Sequence, residues 1–319
     1  MAFKFGTPLD DLMTRSGLVE EEAPQVVYQP TPGGSISPVA YKPPAGSPKY
    51  EIPPWFKRLE YAMTRPGKRG ACLFGPRGTG KTTAAHKVCE IHSLNCITFQ
   101  AANGCTIDDL VGTRDLDNGK TLFTEGPLPE ALRDDCVLVI EEANAMHPGV
   151  FSKLNTLTDG SGDSLRLPDK TRLKPGPGFR VVLAFNEGAS YAGMKEVNGA
   201  LRDRLMPVYT DYLKPEQEKV ILMDRTRCDE DTASRLCNMA SGIRAARGQL
   251  GFDMSPRCLF TMLELVRDLG ETWSEAFEHA VLDLVGDPID KAPQRDAVRQ
   301  IASLSGYENW PDVAWQTNP

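Results

Sequence analysis

Gly75-Pro76-Arg77-Gly78-Thr79-Gly80-Lys81-Thr82 decides the fold. The apolar run Ala71-Cys-Leu-Phe74 precedes it and the helix-forming Thr82-Thr-Ala-Ala-His-Lys-Val-Cys-Glu-Ile-His92 follows. The octet fits G-x-x-x-x-G-K-[ST] in the context that pattern requires, a buried strand before it and a helix after it. Glycines let successive backbone N–H groups curl around a phosphate, and the positive end of the following helix adds to the attraction. Gly75, Pro76, Arg77, Gly78, Thr79, Gly80, Lys81, Thr82 and Thr83 are therefore the expected nucleotide-binding residues. Lys81 is expected to bridge the β- and γ-phosphates, and the Thr82 hydroxyl to bind Mg²⁺.

Working outward, further strand-like runs occur at Cys96–Phe99, Cys136–Ile140, Val181–Phe185 and Val208–Tyr212, separated by helical or loop segments. That alternation predicts an α/β fold with a mostly parallel sheet covered on both faces. The run Val137-Leu-Val-Ile ends in Glu141-Glu142. A buried strand ending in two carboxylates sets the first at a metal and the second beside an attacking water, so Glu141 is the expected metal ligand and Glu142 the expected base. The run Val181–Phe185 ends in Asn186, whose amide can orient that water.

After about Leu213 the strand pattern gives way to helices. Leu236, Met239, Ile243 and Leu250 have helical spacing. Ser255 and Pro256 open a second helix that Gly270 closes, and Thr272 with Glu275 forms a capping box for a third ending at Gly286. Before the sheet, nine prolines fall between Pro24 and Pro54, a composition that cannot bury enough surface to offset its ordering entropy. The expected organisation is a flexible arm over 1–54, an α/β core over 55–212 and a helical lid over 213–319.

Composition sets the outer limits. The 319 residues carry a net charge of −7, with a pI near 5.3, which argues against a protein that coats nucleic acid or anionic membrane. The longest apolar runs, such as Cys136–Ile140, fall far short of the ~18 residues a membrane span needs. The acids Asp10 and Asp11 occupy the place of a secretion signal's apolar stretch, so a cytoplasmic location is expected. Eight cysteines include no CxxC pair and no zinc spacing, and the expectation is reduced, buried thiols.

The three strand ends, in this order and spacing, resemble an AAA+ ATPase. Cys105-Thr-Ile-Asp-Asp-Leu-Val-Gly112 followed by Phe123-Thr-Glu-Gly-Pro-Leu128 is similar to the segment inserted in helix 2 of the MoxR group, which includes the CbbQ/NorQ proteins. Glu141-Glu142-Ala-Asn144 resembles that group's D-E-x-N, with Glu141 in place of Asp, and Phe179–Asn186 resembles its sensor-1 strand. Ala200-Leu-Arg202-Asp-Arg204-Leu205 resembles the arginine-finger segment, and Ser255-Pro256-Arg257 the sensor-2 motif of the lid. Ala276–Val281, Asp287-Pro288 and Ala297-Val298 resemble the CbbQ/NorQ helical tail. The resemblance covers roughly residues 55–305.

It implies a P-loop AAA+ core with a five-stranded parallel sheet and a small lid, using ATP and Mg²⁺. It also implies a ring, commonly a hexamer, in which Arg204, with Arg202 as the second candidate, reaches the neighbour's nucleotide while Arg257 acts from the subunit's own lid. Hairpins around Arg114–Phe123 and over 160–178, the second carrying Arg166, Lys170, Arg172 and Lys174, are expected to face a central channel. The implied activity is ATP-driven remodelling of a client protein alongside a von Willebrand factor A-domain partner. A nucleic-acid motor is the alternative, and a non-catalytic nucleotide switch rests only on Glu141.

Overall fold

Alternate residues of each expected strand belong to opposite layers of the molecule, as a sheet covered on both sides demands. The computed structural model describes residues 49–67, 69–117, 120–158, 164–168, 170–186 and 203–315. The strands in chain order are β1 (Gly70–Gly75), β2 (Cys96–Gln100), β3 (Gly112–Asp117), β4 (Lys120–Glu125), β5 (Val137–Glu141), β6 (Leu165–Arg166), β7 (Arg172–Leu173), β8 (Arg180–Asn186) and β9 (Met206–Tyr209). Five of them form one sheet in the order β2-β5-β8-β1-β9, with every pairing parallel.

The helices of the core are α1 (Phe56–Thr64), α2 (Lys81–Ile91), α3 (Ile107–Val111), α4 (Pro127–Arg133) and α5 (Pro148–Thr158). On one face Leu73, Val137, Val139, Val182 and Val208 pack with Leu59 and Met63 of α1 and Val88 of α2. On the other, Phe74, Leu138, Ile140, Leu183 and Phe185 pack with Leu132 of α4 and Leu154 of α5. Each such side chain contributes ~1.5–3 kcal/mol by leaving water, so the alternation holds both helical layers in place.

The last strand departs from its expected bounds. It starts at Met206 and ends at Tyr209 rather than running to Tyr212. Among the described residues its one neighbour is β1, where Phe74 lies opposite Tyr209, and beyond that pair β1 gives way to the glycine-rich loop. Pro207 is tolerated because β9 is an edge strand.

Beyond β9 the chain is helical among the described residues: α6 (Pro215–Thr226), α7 (Glu230–Ala245), α8 (Arg247–Leu250), α9 (Pro256–Glu264), α10 (Trp273–Phe277), α11 (Asp283–Val285) and α12 (Ala292–Ser303). Leu236, Met239, Ile243, Leu259, Phe277 and Val298 form a separate apolar cluster there. The Thr272–Glu275 capping box is present, and Gly270 ends its helix in left-handed backbone. Ser255 stands at the N-cap of α9 but makes no side-chain cap bond; its hydroxyl instead lies 3.8 Å from Cys258 Sγ.

All eight cysteines are free thiols, and all but Cys96 are buried. Burial pushes the Cys136 thiol up to about 12, which keeps it protonated and unreactive. Among the described residues no helix is long and apolar enough to cross a membrane. The proline-rich segment up to residue 48 lies outside the described residues.

Candidate nucleotide site

The sheet order brings distant segments together at one edge. Gly75 lies opposite Asn186 across β1 and β8, and Gln100 opposite Glu141 across β2 and β5. These are the carboxyl ends of parallel strands, where open α/β sheets bind ligands. The Asn186 N–H donates to Asn144 Oδ1 at 3.5 Å, tying the end of β8 to the turn after β5. The expected loop, both carboxylates and Asn186 therefore meet at one edge.

The loop is clamped at its base and open at its helix. Gly75 has φ +155, and a Cβ there would stand 2.2 Å from the Thr210 carbonyl oxygen, so only glycine fits. Thr210 donates to the Phe74 carbonyl from its N–H at 2.7 Å and from its hydroxyl at 3.2 Å, and its Oγ1 is 3.1 Å from Thr79 Oγ1. Lys81 is buried, and its ammonium donates to the Gly75 and Pro76 carbonyls at 2.9 and 2.7 Å. Gly80 caps α2 in left-handed backbone, and no acid sits in the first turn to offset the helix's positive end. That donor set fits a phosphate chain. Thr82 is half-buried in this turn and Thr83 is exposed.

At the end of β5, Glu142 is held in left-handed backbone, φ 49 and ψ 41, where the chain leaves the strand for the 3₁₀ turn Ala143–Ala145. For a residue with a Cβ this costs ~1–2 kcal/mol, a strain that belongs to functional turns more than to packing. Arg77 Nη2 from the loop tip lies 3.7 Å from Glu142 Oε1. No group of three or more His, Cys, Asp or Glu among the described residues could hold a metal ion by itself. Mg²⁺ suits such a place, since it takes one or two protein ligands and completes its shell with phosphate oxygens and water. Thr82 at the start of α2 and Glu141 at the end of β5 are the residues the sequence put forward to hold it.

The lid meets the loop at Gly78, which has φ +78. A Cβ there would lie 2.9 Å from Pro256 Cδ and 3.2 Å from Ser255 Cβ, so the exposed Arg257 follows directly on the contact. Arg204 is not brought to its own loop. It stands two residues before Met206, which lies opposite Ala71. Ala71 is four residues short of Gly75, or ~13 Å at ~3.3 Å per residue. Arg202 lies outside the described residues. Sequence reading gave no role to Thr210, to Arg77 as a partner of Glu142, or to Asn144 as a partner of Asn186; only Asn144 carried a signal, its place in the D-E-x-N-like motif.

Both expected hairpins are hairpins. β3 and β4 pair antiparallel from Gly112–Glu125 to Asp117–Lys120, after α3, whose N-terminus carries a Thr106–Asp109 capping box. β6 and β7 pair across the basic segment, where Arg166, Lys170, Arg172 and Lys174 are all exposed.

Comparison with known proteins agrees with this geometry. Residues 70–205 match the model of the AAA domain of the dynein-related subfamily. The chain is 29% identical over 220 residues to the protein NorQ of Paracoccus denitrificans, covering 67% of this chain and 79% of that one. An uncharacterized protein of Staphylococcus haemolyticus is 24% identical over 242 residues, 73% of this chain and 89% of its own length. A Staphylococcus aureus protein, likewise uncharacterized, is 27% identical over the same shares.

Proposed function

We propose that this chain, whose residues 70–205 match the AAA domain of the dynein-related subfamily and which is similar to NorQ, is a MoxR-like AAA+ P-loop ATPase that works as a ring, commonly a hexamer, and couples Mg²⁺-dependent ATP hydrolysis to remodelling of a client protein. The observation that carries the reading is the meeting of Gly75–Thr83, Glu142 and Asn186 at one sheet edge with the lid's Ser255–Pro256 resting on Gly78. A nucleotide held there touches core and lid at once, so changes at its terminal phosphate are felt as relative motion of the two.

In this reading the α2 N-terminus and Lys81 hold the phosphates, with Lys81 turning its ammonium from the loop carbonyls to the phosphate oxygens. Glu142 takes the proton of the attacking water and Asn186 orients that water. Mg²⁺, held by Thr82 and Glu141, supplies charge neutralisation at the phosphates when bound. Arg257 acts from the lid. Arg204, remote from its own loop, serves the neighbouring subunit, with Arg202 beside it in sequence. The core over 55–212 and the lid over 213–319 then move as two bodies.

The two hairpins line the ring's channel in this reading, the basic one as a repeated positive collar. The −7 net charge favours a protein client over nucleic acid, and a von Willebrand factor A-domain partner and a cytoplasmic setting belong to the same reading. The test is ATP turnover and light scattering on one preparation, followed by affinity capture with Glu142→Gln. Mg²⁺-dependent turnover by a ring and ATP-dependent retention of a partner protein are expected. Full turnover by a monomer, or stimulation by DNA without a protein partner, would overturn the reading.

A further inference from the structure

The edge of the sheet opposite the nucleotide site holds two arginines that, among the described residues, no carboxylate contacts. Arg69 immediately precedes β1 and Arg180 opens β8. Both line a cavity of about 390 Å³ together with Thr64, Pro66, Gly67 and Pro177. Their guanidinium groups donate to adjacent carbonyls, Arg69 Nη1 to Gly176 O and Arg180 Nη1 to Pro177 O, each at 2.7 Å. Arg180 Nη1 also donates to the Phe179 carbonyl at 2.9 Å and Nη2 to that of Arg65 at 3.5 Å.

All of these contacts are to carbonyls and none is to a carboxylate. Among the described residues neither guanidinium is in ion-pair contact with a carboxylate. Asp135 faces the same loop, but its oxygens accept the N–H groups of Gly178 and Phe179 at 2.7–2.9 Å. Arg180 is only 6% exposed, and its Nε is buried without a hydrogen-bond partner. A buried donor left unmade is costly, and two neighbouring cations add repulsion to that cost. Burial, and then the charge of Arg69, hold the pKa of Arg180 below its ordinary value, against a smaller opposing pull from the Asp135 carboxylate.

We infer that this cavity is a second anion site, for the phosphate group of a small organic phosphate. Two planar guanidinium forks match the oxygens of a phosphate bidentately. The volume falls in the range of small-molecule pockets, about 300–1,000 Å³, and leaves room beyond a single tetrahedral anion. The described residues leading into the site include the basic Arg65 and Arg69, on a chain whose net charge is −7. Its place at the amino ends of β1 and β8 keeps it apart from Gly75 and Asn186 at their carboxyl ends.

The test is calorimetric titration of the full chain with glycerol phosphate and, separately, with inorganic phosphate. Saturable binding of the ester should persist in Lys81→Ala, which removes the phosphate-loop ammonium. It should weaken roughly tenfold or more in Arg69→Ala, as loss of a charge-assisted pair requires, while ATP affinity and the melting curve of that variant stay those of the parent. Arg69→Lys keeps the charge and loses the fork, so an intermediate affinity is expected; it also serves if Arg69→Ala does not fold. Equal affinity for both probes would make the ligand free phosphate and still support the site. No saturable binding, binding abolished by Lys81→Ala, or binding indifferent to both Arg69 variants would overturn it.

Discussion

Arg77 Nη2 and Glu142 Oε1 lie 3.7 Å apart, joining the tip of the glycine-rich loop to the residue at which β5 breaks. Their side chains are 56% and 42% exposed, so the attraction is worth ~0–1 kcal/mol. The pair can therefore position Glu142 without contributing much to the fold. Arg77→Ala should move the melting temperature by no more than about 4 °C. Glu142→Gln should leave nucleotide affinity near that of the parent and cut turnover by ~10²-fold or more. Undiminished turnover would take Glu142 out of the chemistry and leave only a nucleotide switch.

Lys81 and Arg204 make a complementary pair of tests. Lys81→Ala should abolish tight Mg·ATP binding in calorimetry, since a buried ammonium beside the loop carbonyls is lost. Arg204→Ala should bind ATP and hydrolyse it poorly, because the transition state loses its stabilising charge. Mixed rings of the two variants should regain part of the activity, as some interfaces then combine an intact loop with an intact arginine. Demonstrated subunit exchange without recovery would remove the trans assignment.

Arg244 and Glu218 fasten the start of the helical region. Arg244 at the end of α7 grips Glu218 of α6 through two bonds of 2.6 and 2.8 Å, donates to the Met254 carbonyl at 2.7 Å, and stacks over Tyr212 at 4.1 Å. Both partners are only 7% exposed. Glu218→Gln leaves a buried guanidinium without its counter-charge, so a loss of ~3–5 kcal/mol is expected. A fall in the urea midpoint at constant slope would report it; a loss under ~1 kcal/mol would contradict the burial argument.

Asp211 links the strand exit to the helical region by its pair with Arg247 at 2.8 Å. Burial works to raise its pKa, but the bonds from Arg247 and the Tyr212 N–H, with the charges of Arg247 and Arg244, hold it below the usual carboxylate value. A depressed folded pKa adds stability above the unfolded value of ~3.9, and that stability is lost as pH falls through the folded one. Asp211→Asn should therefore melt below the parent at pH 6, by ~1 kcal/mol or less for so exposed a pair. The difference should shrink as pH falls below ~4. A gap that persists unchanged at low pH would assign the effect to packing.

The sequence by itself determined what depends on near neighbours along the chain. The loop from Gly75 to Thr82, the continuous apolar runs of β1, β5 and β8, and the Thr272–Glu275 box act within a few residues, so they are legible without the fold. The helical region's apolar stripe was legible for the same reason: Leu236, Met239 and Ile243 recur at the helix period and all are buried. Tertiary structure decided what depends on register and chain return. β1–β8 register puts Gly75 beside Asn186, and the chain leaving β9 brings Thr210 onto Phe74. The returning lid sets Pro256 against Gly78. Propensity carries no information about such pairs, because their distance is set by how separate elements pack and not by the residues between them. The Arg69–Arg180 cavity is the clearest case: one arginine precedes and the other opens an ordinary strand, and the parallel pairing of β1 with β8 sets the two guanidinium groups around one space.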